Sequence, residues 1–164
     1  DMDATPIKVL FVCVKKGVRA AIAKAVVEQQ SNGIIQASCC GFEPGETPKV
    51  ILDELSNMLD VAIIGESKTV FEYKKTNEKF DYVITLCDQA SSEQCHLFVE
   101  CVNVVCSHIP NRLHWAIPNL GAAIELSGHD RTVFVKEVVD QITLEVAQLL
   151  ESTQAQGQKP FLLT

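Results

Sequence analysis

The 164 residues are 47% hydrophobic and 21% charged, with a net charge of -7 at neutral pH. That balance predicts one globular domain over 1–152 with a loose polar tail over 153–164, and it excludes non-specific binding to nucleic acid or an anionic membrane. No apolar run reaches the length of a membrane span and no early basic-then-apolar leader pattern occurs, so a cytoplasmic location is expected; seven cysteines in a reducing compartment point to reactive thiols rather than structural disulfides.

Val9, Leu10, Phe11 and Val12 form a short apolar run bounded by Lys8, which reads as a strand covered on both faces, with Cys13 at its C-terminal edge. From Arg19 onward Ile22, Ala23, Val26 and Val27 recur at helical spacing. The intervening Val14, Lys15, Lys16, Gly17 and Val18 therefore form a loop at a helix start, where unpaired amides and the helix dipole favour an oxyanion such as phosphate or arsenate. In such a cradle Cys13 is a candidate nucleophile, because the thiolate is favoured over the thiol. Arg19 is the candidate clamp, since its planar fork matches two oxygens of a tetrahedral anion. The Cys-x5-Arg spacing alone fixes two positions and a cysteine is often a small core residue; the placement between strand and helix is what favours chemistry.

Ser31-Asn32-Gly33 stops the first helix, and IIQASCC from Ile34 reads as a second strand. Gly41 to Thr47 reads as a loop, after which Thr47 as N-cap and Pro48 as first helical residue open a helix whose Ile51, Leu55, Met58 and Leu59 share a face. Val61 to Gly65 fits either a short strand or a buried loop, and Glu66 to Lys79 reads as polar connection. Asp81 to Cys87 is the next strong strand, and it places a second cysteine on the edge that carries Cys13. The polar DQASSEQ loop then leads to Cys95, close enough in sequence for a reversible Cys87–Cys95 disulfide.

Val99 to Pro110 is rich in valine and reads as a fourth strand, followed by an irregular stretch around Pro118, Asn119 and Gly121. Asp130 as N-cap opens the last helix, with Phe134, Val138, Ile142, Val146 and Leu149 in step. Cys87, Cys95, His96, Cys101, Cys106 and His108 crowd one region but match no zinc spacing, so no metal is expected. Cys39, Cys40, Cys101 and Cys106 are read as structural thiols, and His96 and His114 as loop and core histidines.

With these pieces placed, FVCVKKGVRA, SCCGFEPGETPKVILDEL, YVITLCDQASSEQC and LHWAIPNLGAA follow one another as the motifs of the low-molecular-weight tyrosine phosphatase superfamily do, and within it the chain resembles the thioredoxin-coupled arsenate reductases. The resemblance runs from about Ile7 to Leu150. It implies a three-layer, flavodoxin-like α/β domain, with a four-stranded parallel sheet and helices on both faces. It also implies a relay: Cys13 attacks arsenate held by the loop and Arg19, Cys87 attacks the Cys13 adduct, and Cys95 resolves the Cys13–Cys87 disulfide. Thioredoxin would reduce the resulting Cys87–Cys95 pair from outside, with no bound cofactor.

The chain departs from the family pattern at chosen places. The family's Thr-Gly-Asn-Ser-Cys after the nucleophile is Val14, Lys15, Lys16, Gly17 and Val18 here. A lysine in a glycine's left-handed position costs about 1 kcal/mol unless Gly17 takes over the bend. Ala20 replaces a serine that hydrogen-bonds the thiolate, which makes Cys13 less acidic than its relatives, while the loop lysines act in the opposite sense. The general-acid aspartate falls at Ile117, Pro118, Asn119 and Leu120, and losing such an acid removes about 10²–10⁴ in rate from a phosphatase. A phosphotyrosine phosphatase and a non-catalytic anion- or partner-binding homologue are therefore the alternatives to a reductase.

Overall fold

The computed structural model describes residues 5–15, 17–64, 68–91 and 93–163, with side chains as far as 154. Its strands are β1 (Ile7–Lys15), β2 (Ile35–Glu43), β3 (Tyr82–Leu86) and β4 (Asn111–Trp115); its helices are α1 (Val18–Gln30), α2 (Lys49–Leu59), α3 (Val70–Thr76), α4 (Cys95–Val105) and α5 (Gly128–Leu163), with a 3-10 turn at Leu120–Glu125. The strands lie in the order β2-β1-β3-β4 and every pairing is parallel. The fold class expected from the resemblance is thus the one observed, a flavodoxin-like sheet between two helical layers.

The alternation of β1 explains the layering. Val9, Phe11 and Cys13 enter a core shared with α1, α2 and α5, while Leu10, Val12 and Val14 enter a second core shared with α3 and α4. A parallel strand buried on both faces needs apolar residues at successive positions, and β1 and β3 supply them. On the first face Phe11 meets Trp115 with ring centroids 5.4 Å apart. Ile22, Ala23, Val26 and Val27 of α1 are all buried, as their spacing predicted.

Several boundaries differ from the sequence reading. Val99 to Pro110 is not a strand: α4 covers it as far as Val105, burying Cys95, Phe98 and Val102 at helical spacing. The stripe continues into Cys106 and Ile109 in the same core, so tertiary packing overrides the strand preference of its valines. The fourth strand is instead Asn111–Trp115, an edge strand with only Trp115 buried. Gly41 to Glu43 belongs to β2 rather than to a loop, and Val61 to Ile64 is not a strand. The polar connection contains α3, opened by Thr69 through a reciprocal capping box with Glu72. Pro48 rather than Thr47 caps α2, and α5 starts at Gly128 rather than after Asp130. The α5 backbone continues to Leu163 through positions read as a loose tail, with Thr153 buried and its hydroxyl donating to the Leu150 carbonyl at 3.0 Å. Among the described residues no helix is long and apolar enough to cross a membrane.

Candidate active site

The C-terminal edge of the sheet carries two strand-to-helix connections side by side. In the first, β1 continues two residues past Cys13, in register with β2 as far as Lys15 and Glu43, and Gly17 then caps α1 in the left-handed region at φ 65°. Gly17 therefore takes the bend, and Lys15, a strand residue, is not among the positive-φ positions. This relieves the strain that a lysine in a glycine position implies. It also changes the cradle, because Val14 and Lys15 lie in the sheet instead of wrapping around an anion; Lys16 lies outside the described residues. Val18 is buried in the first turn of α1.

Cys13 has no exposed surface, and its Sγ lies 3.9 Å from the Lys15 carbonyl oxygen, in the direction of a thiol donating to it. Burial raises its pKa above the ordinary 9.0, opposed by the Arg19 charge and by the Ala20 and Arg19 amides, while the Glu93 carboxylate adds a further upward push. The thiolate expected at a helix start is thus not favoured in this arrangement: desolvation outweighs the amides.

Arg19 is 3% exposed. Its Nη1 donates to the Ile117 carbonyl at 2.9 Å and to Glu93 Oε2 at 3.3 Å, and its Nη2 donates to Glu93 Oε1 at 2.5 Å. The fork read as an anion clamp therefore holds a carboxylate of the same chain, in the bidentate geometry that also suits phosphate or arsenate. Sequence reasoning passed over Glu93. It stands in the polar loop between Cys87 and Cys95, and an acidic residue tethered at the edge that carries an anion clamp was the available signal.

The second connection, from β3 to α4, is longer. Cys87 follows β3, Cys95 begins α4, and the two are joined as a disulfide with their Cα atoms 5.9 Å apart. Within the bridge Glu93 Oε2 accepts the Asp88 amide at 3.2 Å, the Ala90 amide donates to Asp88 Oδ1, and the Glu93 amide donates to Ser91 Oγ. The pairing of Cys87 with Cys95 that the spacing allowed is observed. Both sulfurs belong to the α3–α4 core, whereas Cys13 belongs to the α1–α5 core on the other face. The structure brings Cys87 to Cys95 and Arg19 to Glu93; Cys13 lies opposite Leu86, next to Cys87 along the edge, but the two side chains enter different cores.

A cleft of about 140 Å³ beside α1 is lined by Lys15, Val18, Arg19, Thr47, Asn119 and Leu120. Asn119 Oδ1 accepts the Gly121 amide at 2.8 Å at the start of the 3-10 turn. Glu125 closes that turn and Asp130 lies on α5. Cys39 and Cys40 lie on β2, Cys106 is buried and Cys101 is exposed. The Cys87 and Cys95 sulfurs and a Glu93 oxygen lie within 4.8 Å of one another. They are set to hold a soft cation only with both thiols free and Glu93 released from Arg19.

The sequence profile of the family described as low molecular weight phosphotyrosine protein phosphatase matches residues 8–159. A comparison with curated proteins gives no match. Among solved structures the chain is similar to an arsenate reductase in its phosphate-binding state, with a TM-score of 0.59 and 18% identity over 89% of this chain and 98% of that one. It is similar to the thioredoxin-dependent arsenate reductase of Corynebacterium glutamicum, with a TM-score of 0.54 and 20% identity over 94% of this chain and 66% of that one. It also resembles a low molecular weight protein tyrosine phosphatase from T. tengcongensis, with a TM-score of 0.56 and 16% identity over 89% of this chain and 99% of that one. At these identities the structural likeness concerns the fold. The profile, which spans nearly the whole chain with its Cys-x5-Arg segment, settles the family: this chain belongs to the low molecular weight phosphotyrosine protein phosphatases.

Proposed function

We propose that the protein is an arsenate reductase of the thiol-relay kind, handling an arsenate- or phosphate-like oxyanion at Cys13 and Arg19. The observation that carries this reading is the Cys87–Cys95 disulfide at the sheet edge where Cys13 lies opposite Leu86, the residue before Cys87. A phosphatase needs a nucleophile, a clamp and an acid; it has no use for a second and third thiol, and the stretch that resembles the family's acid loop, Ile117 to Leu120, carries no acidic side chain.

In the proposed cycle, Cys13 displaces a hydroxide of arsenate to give a thiol adduct, with the substrate's charge on Arg19. The Cys87 thiolate then attacks the Cys13 sulfur, a Cys13–Cys87 disulfide forms, and the two electrons of the breaking sulfur–arsenic bond leave with arsenite. Cys95 attacks Cys87, freeing Cys13 as a thiol and leaving the Cys87–Cys95 disulfide, which thioredoxin reduces from outside. The Cys87–Cys95 disulfide supports this reading, since it is the pairing the last step would leave. Because Cys13 and Cys87 occupy opposite cores, the relay requires the Cys87 end of the loop to leave its pocket before the second step.

The test is a coupled assay of the purified protein with arsenate, thioredoxin and its reductase, run beside an assay with an aryl phosphate. The expected result is arsenate-dependent turnover that falls to background in Cys13→Ser and stays within about twofold of the parent in Cys101→Ser. Equal loss in the two variants removes the relay. Aryl phosphate hydrolysis without arsenate reduction makes the protein a phosphatase, and silence on both substrates with the fold intact makes it a non-catalytic binder.

A further inference from the structure

Arg19 is buried, and both of its terminal nitrogens are committed to the Glu93 carboxylate, whose side chain is itself only 8% exposed. A carboxylate held by two parallel N–H donors presents two oxygens where a tetrahedral oxyanion would present two of its own. The substrate and Glu93 therefore compete for one fork. Glu93 has the advantage of being tethered, since a group on a short loop acts at an effective concentration in the millimolar range.

The tether is covalent at both ends. Cys87 is fixed by β3 and Cys95 by α4, and their disulfide closes a loop that the Asp88, Ala90, Ser91 and Glu93 hydrogen bonds shape internally. From these placements we infer that Glu93 is an internal stand-in for the oxyanion, latched onto Arg19 by the Cys87–Cys95 disulfide and released when that disulfide is reduced. The inference rests on the reading of Cys13 and Arg19 as an oxyanion site and names how that site is regulated. A dithiol supplies the two electrons: its first thiolate attacks one sulfur of the pair, the other sulfur leaves and takes up a proton, and the second thiol completes a cyclic disulfide in the reductant. Two protein thiols result, and the loop loses its cross-link.

The arrangement gives the cycle an order. After turnover the enzyme carries the Cys87–Cys95 disulfide and cannot complete another round until it is reduced. With Glu93 on Arg19, abundant phosphate does not occupy the site of this idle form. Reduction restores the dithiol and frees the clamp in one event. Departure of Glu93 also removes one of the charges that disfavour the Cys13 thiolate, so clamp and nucleophile become ready together.

The experiment is calorimetric titration of the full chain with inorganic phosphate, in the disulfide form and after treatment with dithiothreitol, for the unmutated protein and for Glu93→Gln. The expected result is that Glu93→Gln binds phosphate about tenfold or more tightly than the unmutated disulfide form, and that reduction of the unmutated protein recovers most of that gain. Amide exchange of Asp88, whose N–H Glu93 accepts, reports the latch without any anion; it is expected to quicken about tenfold on reduction. Disulfide forms with and without Glu93 that bind within twofold of each other overturn the competition. Phosphate affinity and Asp88 exchange that ignore reduction overturn the latch. No phosphate binding in any form, reduced Glu93→Gln included, overturns the oxyanion reading itself and is distinct from the equal binding that overturns the competition alone. If Glu93→Gln does not fold, the two redox states of the unmutated chain still decide the matter.

Discussion

The two connections at the active edge of the sheet do the same topological job by different physics. β1 ends at Lys15 and α1 begins at Val18, with Gly17 in the left-handed region as the cap that opens the helix. Between β3 and α4 the loop is long enough to need its own internal hydrogen bonds, and a disulfide draws its ends together. One connection is held by backbone geometry, which nothing short of unfolding removes. The other is held by a bond that a dithiol removes. A site assembled from both has a fixed half, carrying Cys13 and Arg19, and a conditional half, carrying Glu93.

That contrast can be broken or sharpened by experiment. The largest expected effect concerns Cys13 reactivity. Because burial lifts its pKa above the ordinary 9.0, its alkylation by iodoacetamide is expected to be slow at pH 7 and to climb about tenfold per pH unit through pH 9, without a plateau below that value. A plateau near neutrality, followed by peptide mass mapping, would show a thiolate already stabilised. By linkage, the proton is held more tightly in the folded state. The associated stability is fully present below pH 9.0 and is lost as the pH rises through the higher folded value.

Next in size is Cys95→Ser, which opens a loop whose ends are separated by 8 residues. The chain-entropy relation puts the loss at about 2.5 kcal/mol in urea unfolding. Dithiothreitol should produce a similar loss in the parent and none in the variant. The fixed connection should behave oppositely: Gly17→Ala places a side chain at a positive φ and is expected to cost about 1–2 kcal/mol, the same with and without reductant. If that cost changes with redox state, the two connections are not independent. The smallest effect is outside both: Thr69→Ala removes the capping box of α3, which packs against α4, and is expected to cost about 1 kcal/mol.

What could be read in the sequence follows the strength of each local signal. β1 and β3 were legible because doubly buried parallel strands show nearly unbroken apolar runs, and α1 and α5 because their apolar residues repeat at helical spacing. α4 was misread as a strand because valines in VECVNVV dominate its composition, although Cys95, Phe98, Val102, Cys106 and Ile109 trace a helical stripe. β4 was passed over since an edge strand with polar Asn111, Arg112 and His114 carries little apolar signal. At the sheet edge, the placement of Cys13 and Cys87 on neighbouring strands, of Arg19 at the helix start and of Cys95 within bonding reach of Cys87 was legible from spacing and from the order of elements. The Arg19–Glu93 pair was not, because it joins positions 74 residues apart and depends on how a loop closes in three dimensions.

The division of the thiols between two faces of one sheet has a consequence for durability. Peroxide and similar oxidants act on thiolates they can reach, and a protonated, enclosed sulfur advances slowly along the path from sulfenic to sulfonic acid. Cys13 is enclosed and its burial disfavours the thiolate, while Cys87 and Cys95 are already joined as a disulfide, an oxidised state that a dithiol reverses. An oxidant thus meets Cys87 and Cys95 already paired and Cys13 enclosed. In the proposed relay, reduction by a dithiol then returns Cys87 and Cys95 to the thiol form with Cys13 unchanged.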